Sequence, residues 1–288
     1  MDGKNKESGK SGKASANRLL LTGIIFLVVF CVSGYFLLRY YEEYRKQKEL
    51  ECKIAALESS AVSGMTDGNA SDDGSTGENA GGNATADGNV SGETRRNHQV
   101  YKDVNHDYIG FLTIPDTNIE YPVVHRDNTY YLNHDFYGEK SRHGTIFLDQ
   151  SCDGADPVIL IHGHHMKDKT MFGTLNDYKR EAFRDGHRKI YLDLGNGNQT
   201  YVVFGAALVD LTQKSFFRYE QLPQTEKERT AYLQKLQDTS FWFDEHSIQE
   251  CSGQIMVLST CEYATEDQRL IIAAVLYDKE YGILPENE

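Results

Sequence analysis

The 288-residue chain has no basic excess: 30 Lys and Arg stand against 43 Asp and Glu, a formal net charge of −13. A domain that grips phosphates needs a basic face, so the charge argues against a nucleic-acid partner. Paired cysteines are lacking as well. The five, at 31, 52, 152, 251 and 261, are an odd set with no short repeated spacing, which fits neither a disulfide framework nor a zinc ribbon. At least one thiol is therefore free unless chains pair, and the question becomes which cysteine is used. Residues 61–97 lack aromatics altogether and consist largely of Gly, Asn, Asp, Ser and Thr. Such a segment cannot bury enough apolar surface to offset its ordering entropy and reads as a disordered tether. As a flexible coil it would reach ~30–35 Å.

Residues 19–38, LLLTGIIFLVVFCVSGYFLL, lack charge instead. At ~1.5 Å per residue a helix of this length crosses the ~30 Å hydrocarbon layer. The run exceeds the ~7–15 residues of a signal-peptide core, and no small-residue cleavage site follows. We read it as an uncleaved membrane anchor, with Cys31 a small apolar residue inside it. Lys4, Lys6, Lys10, Lys13 and Arg18 precede the span, while Arg39, Arg45, Lys46, Lys48 and Lys53 follow it. The charge balance therefore assigns no orientation. The charged stretch after the span continues the helical periodicity into water.

From residue 98 the texture becomes globular. Eight β-like runs recur between turn residues: YIGFLTI, IEYPVVH, GTIFLD, PVILIHG, RKIYLDL, QTYVVFGAALV, GQIMVLSTC and RLIIAAVLYD. Many short strands with few long helical patterns predict a mainly β fold, a closed or nearly closed barrel. NTYYLNHDF and TMFGTLNDY read as short helices. Residues 225–243 read as an amphipathic helix opened by a capping box, Thr225 with Glu228. It interrupts the strands just before the last pair, where an insertion builds binding walls.

Two stretches carry chemistry. VILIHGHHMKD crowds His162, His164 and His165 at the end of an apolar run. An H-x-H pair on a strand puts both rings on one face, as a zinc site needs, but no Cys-rich or carboxylate cluster completes a ligand set. The alternatives are structural histidines or one histidine as a proton carrier, the common role of imidazole near neutral pH. The second stretch, GQIMVLSTCEYATEDQRLIIAAVLYD, places Cys261 just past an apolar strand and Arg269 at the start of the next. A hairpin would return Arg269 to Cys261, where a permanent cation lowers a thiol pKa and holds an oxyanion. A surface ion pair of Arg269 with Glu262, Glu266 or Asp267 accounts for the spacing equally well.

LSTC followed eight residues later by Arg, with GHHM…MFG a hundred residues earlier, resembles the sortases, membrane-anchored cysteine transpeptidases of Gram-positive bacteria. GFLTIPDTNIEYPVVHRDNTYYLNHDFYGEKSRHGTIFLD and the helix ahead of VLSTC resemble class B members. The resemblance implies a closed eight-stranded sortase-type β-barrel with short helices, one longer helix inserted before the seventh strand, and a single transmembrane helix ahead of it. It implies Cys261 as nucleophile, His164 as acid/base and Arg269 as oxyanion partner, with Asn128, Leu132, Ser259, Thr260 and Glu262 contacting substrate. No cofactor or metal is implied.

The implied reaction cleaves a C-terminal sorting signal of N-P-x-T-x type after its Thr, through a thioester. The protein is then passed to an amine of a peptidoglycan precursor or a pilin subunit. The chain would divide into a cytoplasmic tail (1–18), an anchor (19–39), a juxtamembrane helix and linker (40–97) and an extracellular catalytic domain (98–288). Two positions depart from the family: Val257 stands where Thr is usual, and His162 where class B members carry Tyr. At an oxidising surface Cys261 would be open to sulfenylation or to capture by Cys251 or Cys152. A metal hydrolase built on His162 and His164, and a non-enzymatic anchored peptide-binding domain, are the competing readings.

Overall fold

The computed structural model describes residues 8–63, 96–213, 217–250, 253–261 and 267–277. Most of the tether, together with Cys251 and Glu262, lies outside the described residues. The chain divides into two compact units, Met1–Lys53 and Ile54–Glu288. In the first, helix α1 (Ser8–Ser63) begins. Its apolar side chains face outward, Phe26 at 71% and Phe30 at 75% exposure, and from Leu20 it is long and apolar enough to cross a membrane.

The second unit is a β-barrel. After α2 (His98–Val104) come β1 (Tyr108–Thr113), β2 (Glu120–His125), β3 (Ile146–Leu148) and β4 (Val158–His162). Helix α3 (Glu181–Gly186) leads to β5 (Lys189–Asp193) and β6 (Asn198–Asp210). Helix α4 (Glu226–Thr239), β7 (Ser240–Phe243) and α5 (Glu245–Glu250) precede the hairpin of β8 (Ile255–Cys261) and β9 (Gln268–Leu276). The strand order β5-β1-β2-β3-β4-β8-β9-β6 closes through β5–β6 pairing, so eight strands form the barrel and β7 is a ninth on its rim. All eight runs read from the sequence are barrel strands. The two short helical runs become 3-10 turns, Tyr130–Leu132 and Gly173–Lys179.

Strand alternation sorts the side chains into two clusters. Ile159, Ile161, Met256, Leu258, Leu270 and Ile272 fill the barrel. Val158, Leu160, Ile255, Val257, Ile271 and Ala273 face outward, under a roof that includes Phe217, Tyr219, Tyr232 and Leu236. The roof helix α4 starts as its capping box requires: Thr225 accepts from the Glu228 amide at 3.3 Å while Glu228 accepts from the Thr225 amide at 3.0 Å.

The long helix is shorter than expected. It stops at Thr239, and residues 240–243, SFWF, pair instead with β6 at 205–207. Strand β5 occupies the same edge of β6 only over 198–202, so the unpaired backbone beyond it accepts an aromatic run that fits a pleated surface better than a helix.

Candidate active site

Strands β4 and β8 are parallel and end at the same rim, with His162 opposite Ser259. One strand over, β8 and β9 pair antiparallel with Cys261 opposite Arg269. The hairpin expected from the sequence thus brings positions 261 and 269 into register at the mouth of the outer face. The 3.2 Å bond from Arg269 Nη1 to the Gln268 carbonyl fixes part of the guanidinium.

His164 follows His162 by two residues, just past the end of β4, in a loop closed upon itself. The Phe172 amide donates to the His164 carbonyl at 2.9 Å, and His165 bridges Met171. The glycines of the GHHM…MFG motif have steric reasons. A Cβ on Gly163 would lie 2.6 Å from the Phe172 ring, and one on Gly173 would strike the Met166 carbonyl. Lys169 and Met171 take positive φ, 68° and 49°, a cost the closed loop absorbs. Asp168 accepts from the Thr170 hydroxyl at 2.6 Å and faces His143 Nε2 at 3.5 Å.

The His164 ring is seated from the other side. Its Nε2 lies 2.6 Å from the Leu132 carbonyl, which can only accept, so this nitrogen carries the proton and Nδ1 is left for proton exchange. The Leu132 side chain is 42% exposed beside it. Gly144 supports both: its φ is +60°, and a Cβ there would strike the Tyr131 carbonyl and sit 3.2 Å from His164 Cδ2. Sequence reasoning missed Gly144; the glycine opening GTIFLD was the available signal, a backbone breaker just before a strand.

His162 is engaged separately. Its Nε2 donates to Asp149 Oδ2 at 2.8 Å, and the same oxygen accepts from Asn128 Nδ2 at 2.8 Å. Burial opposes ionisation of Asp149, but the bonds from His162 and from Ser151 outweigh it and hold this carboxyl well below the usual range. The carboxylate was not anticipated, because GTIFLD gives no sign that its last residue is buried.

Ser259 and Thr260 are both buried. The Ser259 hydroxyl donates to the Tyr219 phenol at 3.2 Å, and burial, more than any other cause, pushes that phenol up to about 12. Thr260 opposes Leu270 of the interior cluster, so its outward-facing part is backbone. Cys152 is a free, buried thiol in the interior cluster, and burial, the main cause, pushes it up to about 11. Among the described residues no three His, Cys, Asp or Glu side chains group as metal ligands.

The family model for the sortase domain matches residues 112–277. Sortase B of Listeria monocytogenes is 33% identical over 196 residues, covering 66% of this chain and 78% of that protein. Sortase B of Staphylococcus aureus is 29% identical over 176 residues, 59% of this chain and 70% of that one. Among solved structures, Clostridium perfringens sortase B superposes with a TM-score of 0.57 at 26% identity, covering 63% of this chain and all of that one (100%). A barrel closed by these eight strands, a cysteine and an arginine in register at its rim, and matches of this extent have one reading: the chain belongs to the sortase family and is a cysteine transpeptidase of the sortase B type.

Proposed function

We propose that Cys261 is the nucleophile, His164 the acid/base and Arg269 the oxyanion partner, acting on a secreted protein with an N-P-x-T-x-like C-terminal sorting signal. The observation that carries this is the cross-strand register of Cys261 with Arg269, Cys261 lying on the strand paired with the one that leads into His164, whose Nε2 is already committed to the Leu132 carbonyl. The thiolate attacks the carbonyl carbon of the signal's Thr. Arg269 stabilises the tetrahedral oxyanion, as a preorganised cation at the point of charge development does most effectively. Protonated His164 delivers its Nδ1 proton to the leaving amine, and a thioester on Cys261 remains. An incoming amine then loses a proton to His164, attacks the thioester and releases the thiolate, which regenerates the enzyme. The acceptor is an amine of a peptidoglycan precursor or of a pilin subunit.

In this reading Asn128 and Leu132, from the β2–β3 connection, and Ser259, Thr260 and Glu262, from the end of β8 and just beyond it, contact the substrate, Ser259 and Thr260 through their backbone since both are buried. The apolar stretch of α1 holds the enzyme in the membrane by a single pass, residues 1–18 inside. Residues 40–97 space the catalytic domain, 98–288, away from the outer surface. This orientation follows from the secreted substrates.

Intact-mass measurement on the full-length chain in detergent micelles, with a pool of sorting-signal peptides, tests the assignment. The wild type should gain the mass of the peptide up to its Thr, and added amine should release it. Cys261→Ala should gain nothing. Cleavage that persists in Cys261→Ala and stops with chelator would sink the assignment.

A further inference from the structure

Asp149 is a carboxylate with 5% side-chain exposure, and a charge so placed is tolerated only when its lone pairs are occupied. They are. His162 Nε2 and Asn128 Nδ2 donate to Oδ2, each at 2.8 Å. The Ser151 amide and hydroxyl donate to Oδ1 at 2.8 and 2.6 Å. The backbone is pinned as well: the Asp149 amide donates to the Leu160 carbonyl of β4 at 2.8 Å, and its carbonyl accepts from the Cys152 amide at 3.2 Å.

A carboxylate can only accept, and this dictates what its partners present elsewhere. Asn128 is held at both ends, since its Oδ1 accepts from the Gln150 amide at 2.8 Å. His162 has given its Nε2–H to Asp149, so in the neutral ring Nδ1 is an acceptor. No described residue occupies that nitrogen, and the ring keeps 20% side-chain exposure. It lies against Phe147 at 5.1 Å between centroids. His162 is also in the outer-face row, opposite Ser259 and two residues before His164.

We infer that Asp149 is a positioning residue for the peptide groove, locking His162 so that its Nδ1 accepts a hydrogen bond from the sorting signal. The donor is a backbone N–H or a side-chain amide or hydroxyl of the peptide. Asp149 itself touches no substrate; it acts through His162 and, on the other side, through Asn128. The inference rests on the proposed peptide-transfer reaction and adds the group that selects a donor-bearing peptide.

The test compares wild type with Asp149→Asn as full-length protein in micelles, using one sorting-signal peptide that acylates the wild type. An amide at 149 cannot accept from all the donors now aimed at it. KM should rise about 10- to 100-fold, the worth of a hydrogen-bonded charged group, while kcat and the rate of thiol modification by a small methanethiosulfonate hold. A KM equal to wild type, with only the melting temperature lowered, would reduce Asp149 to a structural residue and overturn the inference.

Should Asp149→Asn fail to fold, ¹⁵N NMR of histidine-labelled Cys261→Ala at pH 8 decides. His162 should show the Nε2–H tautomer, and its Nδ1 resonance should move on adding the peptide. The opposite tautomer or an unmoved resonance overturns the inference. A wild type that forms no adduct with any peptide removes the transfer reaction and this inference together. An adduct with unchanged KM in the variant removes this inference alone.

Discussion

The two faces of β4 and β8 carry different burdens. Inward, Ile159, Ile161, Met256 and Leu258 are wholly buried and form an unbroken apolar lining. Outward, Val158 and Leu160 give way to His162, and Ile255 and Val257 give way to Ser259, whose hydroxyl is still covered by Tyr219 of the roof. The outward face changes chemistry in both strands as they reach the rim, while the inward face does so only at buried Thr260, the last inward position of β8. Inward residues fix where the strands lie; outward residues at the rim do something with that position.

Substitutions at the rim should separate catalysis from stability, and the largest effect belongs there. Cys261→Ala or Arg269→Ala should lower kcat/KM by about 10³-fold or more in a peptide-transfer assay, with little change in melting temperature. Arg269→Lys should rescue poorly, because an ammonium lacks the planar fork. If Arg269→Ala keeps near wild-type turnover, the register of 261 with 269 is only structural.

Gly144→Ala lies on the boundary between the two burdens. The left-handed backbone and the close carbonyl make a side chain costly, about 1–3 kcal/mol of stability, and the displaced Leu132 carbonyl should also cost His164 its seat. Thermal melts read the first effect and acylation rates the second. A fall in stability with kcat unchanged would show that Gly144 serves the fold alone.

An inward substitution should show the reverse pattern. Ile159→Ala should cost about 2–5 kcal/mol in denaturant unfolding, with KM and kcat of the folded fraction unmoved. A changed KM would mean that the two faces are mechanically coupled.

The smallest effect is one of pH. Asp149 has a folded pKa below its unfolded value, so its contribution is present above about pH 4 and is lost as pH falls through the folded pKa. Wild type and Asp149→Asn should therefore differ most in melting temperature near neutrality, and the gap should narrow in acid. A constant gap from pH 7 to pH 3 would mean that the charge of Asp149 does not stabilise the fold.

The barrel was legible because each of its strands is a short apolar run punctuated by turn residues. The hairpin was legible too, since the seven residues between Cys261 and Arg269 allow little else. SFWF was not: it follows α4 without a breaker, and only the free edge of β6 makes it a strand. The His162–Asp149–Asn128 triangle was also hidden, because its corners come from β4, the end of β3 and the β2–β3 connection. His162 and Asn128 each drew attention, yet nothing local pairs them through a buried acid. The His164 seat was half visible, in the glycines of GHHM…MFG but not in Gly144.

The handover along β6 has a consequence for how such enzymes diversify. One strand serves β5 with its first part and β7 with its second, so the segment carrying α4, β7 and α5 docks on an edge that barrel closure does not use. It leaves from the end of β6 and returns at the start of β8, whose hairpin with β9 fills the place between β4 and β6. The same segment supplies Phe217, Tyr219, Tyr232 and Leu236 to the cluster over the barrel's outer face, so any change in its length or sequence is felt at Ser259 through the Tyr219 phenol.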